Sequence, residues 1–116
     1  ITRLTPELSE RFETRLTVTH TDPPYLEFMP PGITKATGLA DVVEHYGFDA
    51  RQVVAFGDGN NDVTMLRWAG VGIAMAHAKP AAKAVADYAV PEAPVNESLA
   101  RGIEWLIERS QNRCRE

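Results

Sequence analysis

The chain is 116 residues long, 44% apolar, 24% charged and 8% aromatic, the composition of a globular protein rather than a disordered, collagen-like or membrane-embedded one. That length admits one compact domain with a sizeable core and no second independent lobe. Twelve Lys and Arg against sixteen Asp and Glu leave a net charge of −4, which gives no overall attraction to phosphate backbones or anionic lipid and argues against a nucleic-acid or membrane partner.

Ile1 to Glu10 carries polar side chains throughout and no apolar h-region, so it does not read as a signal peptide, and a cytoplasmic home is expected. Thr5 as N-cap and Pro6 as first helical residue open a short amphipathic helix to Phe12. Arg15 to Thr21 alternates polar residues with Leu16, Val18 and His20, and Tyr25 to Met29 follows the turn-forming Asp22-Pro23-Pro24, so two strands joined by a turn are expected. Pro30-Pro31-Gly32 stops the second strand and marks a boundary between residues 1–31 and 32–116.

Beyond that boundary helices and apolar strands alternate, which predicts an α/β fold with a parallel sheet and crossover helices. Lys35 to Tyr46 spaces Leu39, Val42, Val43 and Tyr46 along one helical face, with Thr34 as N-cap and Gly47 as stop. Val53-Val54-Ala55-Phe56 reads as a strand covered on both faces, and it is far too short to span a bilayer. A helix from about Asp62 to Ala69, a strand from Val71 to Met75, a short helix opened by Pro80 and a strand from Tyr88 to Val90 follow. A last helix is capped by Asn96 and turns Leu99, Ile103, Leu106 and Ile107 inward, before a frayed tail from Gln111 to Glu116. The single cysteine, Cys114, lies in that tail. It excludes an internal disulfide and fits a reducing compartment.

The segment Gly57-Asp58-Gly59-Asn60-Asn61-Asp62 sits where an apolar strand ends and a helix begins, the position at which open α/β sheets bind ligands. Two carboxylates and two amides offer hard oxygen ligands and amide donors, and the glycines allow a sharp turn; magnesium and a phosphate oxygen suit this chemistry. A hairpin turn at Asp58-Gly59 conflicts with the helical pattern that follows. A calcium loop fails because Val63 stands where glycine is required and Ala69 where glutamate is. A dinucleotide fingerprint fails because Asp62 replaces the third glycine. A purely structural turn capped by Asn and Asp stays open from residue chemistry alone.

Lys35 is the second informative residue. A cation in the first turn of a helix opposes the helix dipole, and an anion at that helix start would offset it; the alternative is a solvated surface lysine.

Residues 25 to 92 resemble the C-terminal half of a haloacid-dehalogenase-superfamily phosphatase of the Cof-type, sugar-phosphatase-like branch. The resemblance rests on Leu26-Glu27-Phe28 leading through Pro31-Gly32 to Lys35, then on Phe56-Gly57-Asp58-Gly59-Asn60-Asn61-Asp62-Val63-Thr64-Met65-Leu66, and on Ala69-Gly70, Val71 to Met75 and Ala78. It implies a partial Rossmann-like three-layer core over residues 32–116, preceded in residues 1–31 by the last helix and strands of a cap domain. It also implies a magnesium-dependent phosphatase of small phosphorylated metabolites such as sugar phosphates. In such enzymes an aspartate on the first core strand attacks the phosphoryl group and an acid two residues later protonates the leaving oxygen. By resemblance Asp58 is a direct magnesium ligand, and Asp62 a ligand through water or an orienting group. Asn61 is a hydrogen-bonding partner of the phosphate, and Lys35 the fixed cation on the nucleophile and the transferring phosphoryl oxygens.

Two departures stand out. His77 occupies a position where the family usually has asparagine, and nowhere do two aspartates stand two apart. The chain alone is therefore expected to be inactive. The absent nucleophile strand would leave an apolar sheet edge exposed, through which the chain could self-associate. A non-catalytic binding or assembly module with a weak cation site is the alternative. A segment of a cation-pumping ATPase fits less well, because its related acidic loop is usually followed by a Pro-containing run rather than Val63-Thr64-Met65-Leu66.

Overall fold

The computed structural model describes residues 3–12, 14–20 and 25–115. The turn expected at Asp22-Pro23-Pro24 lies outside them. Helix α1 (Leu4–Phe12) begins two residues before the predicted proline start and packs on strand β1 (Thr17–His20), which pairs antiparallel with β2 (Leu26–Met29). The register sets Thr17 opposite Met29 and Thr19 opposite Glu27, with Val18 opposite Phe28 and His20 opposite Leu26 in the alternate rungs. Because successive side chains leave a strand on opposite faces, Thr17, Thr19, Glu27 and Met29 share one face.

The second sheet is parallel, in the order β3 (Val54–Gly57), β4 (Val71–Ala74), β5 (Tyr88–Ala89). Helix α2 (Lys35–His45) precedes β3, α3 (Val63–Trp68) and α4 (Pro80–Val85) carry the crossovers, and α5 (Val95–Arg115) closes the chain. No helix among the described residues is long and apolar enough to cross a membrane. The expected α/β architecture is present, and α2 and α4 start at Lys35 and Pro80, where the sequence places them. Thr34 caps α2, its hydroxyl accepting from the Thr37 N–H at 3.2 Å while the Thr37 hydroxyl accepts from the Thr34 N–H at 2.9 Å.

The core lies between α3, α4 and β4, where Leu66, Ile73, Ala74, Ala82 and Val90 are buried. It is smaller than the chain length suggests. The radius of gyration is 16.0 Å, against about 13 Å for a compact chain of this size.

Several predicted inward faces are corrected. On α2, Leu39 and Val43 are half-buried, but Val42 and Tyr46 are exposed. On α5, Leu99, Ile103 and Ile107 are exposed, and the residues against the sheet are Ser98, Gly102, Trp105 and Leu106. Helical periodicity marks an apolar stripe, and here the sheet is too narrow to cover it. Gly102 explains which face docks: a Cβ there would stand 3.0 Å from Phe56 Cε1 and 3.1 Å from Ile73 Cγ2, so only glycine lets the helix axis come this close. Asn96 lies inside the first turn of α5 rather than ahead of it, and the helix continues through the tail that was expected to fray, which contains no glycine or proline to stop it. Strand β3 is covered on both faces except at its start: Ala55 and Gly57 are buried, Phe56 is half-buried against α5, and Val54 is exposed. It stands at one end of the sheet with no further strand beside it among the described residues.

Candidate active site

The loop after β3 tightens into a single 3-10 turn, Asn60–Asp62, before α3 begins. Asp62 is folded back into it with only 4% of its surface exposed. One carboxylate oxygen, Oδ2, accepts hydrogen bonds from the backbone N–H of Asp58 at 2.9 Å and of Gly59 at 3.0 Å. The other, Oδ1, receives the Lys35 ammonium. Gly57 makes this fold-back feasible, because a Cβ there would meet Asp62 Cβ at 2.6 Å. Burial alone would raise the Asp62 pKa; the hydrogen bonds from the Lys35 ammonium and from the Gly59 and Asp58 N–H groups outweigh it and hold the carboxyl below its ordinary range.

Lys35 is therefore not a freely solvated surface lysine. Its place at the start of α2 puts it against the helix dipole, and the anion that offsets the charge is Asp62, 27 residues later. Nearly half of its side chain, 47%, still faces solvent. The Asp58 side chain has a different partner. Its Oδ2 lies 3.1 Å from His77 Nε2, and its backbone carbonyl accepts from the Lys79 N–H at 2.7 Å. The Asn60 side-chain amide donates to the His20 carbonyl at 3.2 Å and ties the β1–β2 hairpin to the loop.

Between hairpin and loop opens a cavity of about 360 Å³. Lys35, Asn61 and Thr64 line it from one side, and Thr17, Thr19 and Glu27 from the other. Four of the residues singled out in the sequence thus fall together: Lys35 contacts Asp62, Asp58 belongs to the same loop, and Asn61 stands on the cavity wall beside Lys35. His77 contacts Asp58 rather than the cavity. Sequence reasoning missed the hairpin face. Its signal was available in the strand alternation, which puts Thr17 and Thr19 on a common side.

A match to the haloacid dehalogenase-like hydrolase family extends over residues 1–103. The chain belongs to that family. Among curated haloacid dehalogenase-like relatives, the 5-amino-6-(5-phospho-D-ribitylamino)uracil phosphatase YcsE of Bacillus subtilis is 37% identical over 93 residues, 79% of this chain and 37% of that protein. The phosphoglycolate phosphatase of Methanopyrus kandleri is 40% identical over 76 residues, 66% of this chain and 32% of that protein. Among solved structures, the subclass IIB sugar phosphatase BT4131 superimposes with a TM-score of 0.78 at 30% identity, covering 87% of this chain and 38% of that one. The chain thus spans well under half the length of these relatives. It is a segment of a haloacid dehalogenase-like hydrolase, and its α/β sheet is part of that fold.

Among the described residues no three His, Cys, Asp or Glu side chains cluster to hold a metal ion. The donor set nevertheless suits magnesium in part. Asp58 is a half-exposed carboxylate with only one oxygen engaged, while both Asp62 oxygens are committed to protein donors.

Proposed function

We propose that this chain supplies the C-terminal half of the active site of a magnesium-dependent phosphatase acting on small phosphorylated metabolites of the sugar-phosphate class. Residues 1–31 are the end of a cap domain and residues 32–116 the second half of the hydrolase core. The observation that carries the reading is the grip of the Lys35 ammonium and two backbone N–H groups on the buried Asp62, beside a cavity into which Lys35 and Asn61 both face. The names of the relatives, a phospho-ribitylaminouracil phosphatase and a sugar phosphatase, support the substrate class.

In this reading Lys35 binds an oxygen of the transferring phosphoryl group and stabilises the charge that accumulates there, because Asp62 fixes its position before substrate arrives. The Asn61 amide donates to a second phosphoryl oxygen. Asp62 orients: its oxygens are taken up by Lys35 and the loop, so it shapes the site rather than reacting. Asp58 is the carboxylate that would hold magnesium, with Asp62 behind it, and the ion supplies neutralisation of charge between carboxylates and phosphate. No aspartate pair two residues apart occurs in these 116 residues, so the attacking carboxylate is not among them and the chain alone is inactive. The free edge of β3 and the exposed stripe of α5 make a second copy of the chain the expected partner in isolation.

The test is a titration of the isotope-labelled chain with inorganic phosphate in the presence of magnesium, followed through the amide resonances of Lys35 and residues 58 to 62. Saturable shifts that disappear in Lys35→Met are expected. A flat titration, or one unaffected by that substitution, overturns the phosphate site.

A further inference from the structure

The wall of the cavity opposite Lys35 is chemically lopsided. Lys35 is the one cation among the described lining residues, and it stands at the loop side. Across from it the β1–β2 hairpin presents a polar rung, Thr19 paired with Glu27, and a mixed rung, Thr17 paired with Met29. The Glu27 side chain has no hydrogen bond or ion pair with any described residue, and its residue is exposed. Among the described residues every polar side chain on that wall is thus a carboxylate or a hydroxyl, and none is a cation. Met29 and the neighbouring Ile33 add an apolar surface suited to C–H faces.

We infer that Glu27, with the hydroxyls of Thr17 and Thr19, determines which esters enter: the hairpin selects a neutral, polyhydroxylated leaving group and rejects one that carries a second anionic group. The inference rests on the proposed phosphate site, since it takes the Lys35 and Asn61 end as the place of the phosphoryl group. With the phosphate there, the rest of the ester lies against the hairpin. Hydroxyl groups donate to the unpaired Glu27 carboxylate, a charge-assisted hydrogen bond that a polyol can make and a carboxylate cannot. A carboxylate or second phosphate would instead face Glu27 as a like charge, with no lining cation among the described residues on that side to offset it. Specificity here combines an attractive element with a repulsive one, both on a single side chain.

The labelled 116-residue chain with magnesium is titrated with inorganic phosphate, ribitol 5-phosphate and phosphoglycolate, in the native form and as Glu27→Gln. Inorganic phosphate, which has no leaving group, is the reference in each protein. Ribitol 5-phosphate should shift the amides of Thr17, Thr19 and Glu27 as well as Lys35, and bind about 5- to 10-fold more tightly than phosphoglycolate. In Glu27→Gln that ratio should fall to about twofold or less, mainly through tighter phosphoglycolate binding. If phosphate shifts Lys35 and Asn61 but the two esters bind equally, or the ratio survives Glu27→Gln, the hairpin is not the selector and the inference fails alone. If phosphate itself leaves Lys35 and Asn61 unmoved, the underlying site is wrong and the inference falls with it.

Discussion

Asp62 holds three donors at once, and removing its charge should be felt by all of them. Asp62→Ala leaves the N–H groups of Asp58 and Gly59 without their acceptor and the Lys35 ammonium without its counter-ion, for a loss of about 1 to 3 kcal/mol in urea unfolding. Gly57→Ala should do comparable damage by a different route, since its Cβ meets Asp62 Cβ and forces the side chain out of the loop. The acid response follows from the sign of the Asp62 shift. Its pKa is lowered on folding, so its contribution is present above the ordinary carboxylate range and is lost as pH falls through that range and below. Unfolding free energy should therefore drop more steeply below about pH 4 in the native chain than in Asp62→Asn. Equal slopes would show that Asp62 is not held as a charged group. Lys35 and the acidic loop stood out in the sequence as a candidate site because a lysine opposes the dipole of the helix it starts and the loop gathers carboxylates and amides at a strand end. What spacing could not reveal is the division of labour, in which Asp62 turns inward to lysine and backbone while Asp58 turns outward to His77.

At the scale of elements, α5 shows how a correct helix can be assigned the wrong face. Leu99, Ile103 and Ile107 make a persuasive apolar stripe, yet the helix docks through Gly102, which allows close approach to Phe56 and Ile73, and through the buried Ser98, whose hydroxyl accepts from the Ala76 N–H. Gly102→Val should consequently cost about 1 to 3 kcal/mol by overpacking, despite the gain in helix propensity over glycine. Ile107→Ser, by contrast, should change monomer stability by about 0.5 kcal/mol or less. Thermal unfolding of the two variants at low concentration distinguishes this face from the predicted one: if Ile107→Ser proves the costlier, the helix is rotated relative to the structure. The order and type of the main helices and strands were readable over residues 25–110 because capping residues and glycine stops are local signals, such as the reciprocal Thr34–Thr37 bonds. Burial was not, because it depends on how many strands lie beneath each helix, and the narrow three-stranded sheet leaves Val54, Val42 and Tyr46 uncovered.

The whole molecule is an open one. Its extents of 52 × 35 × 20 Å and small core around Ile73 mean that much apolar surface stays in water. Sedimentation velocity should show concentration-dependent self-association of the chain, reduced when Val54→Lys blunts the β3 edge and Ile103→Glu charges the α5 stripe. A monomer at all concentrations would mean that these surfaces are tolerated in water. Activity belongs to the same scale: turnover of an aryl phosphate with magnesium should remain at background, and turnover abolished by Asp58→Ala would reveal a nucleophile within the chain itself.

The contact between Lys35 and Asp62 is tested most directly by a double-mutant cycle on unfolding free energy, using Lys35→Met, Asp62→Asn and the combined variant. Contact between the two side chains should give a coupling of about 1 kcal/mol or more. Single effects that add to within about 0.3 kcal/mol would contradict that contact, and with it the phosphate site built on it.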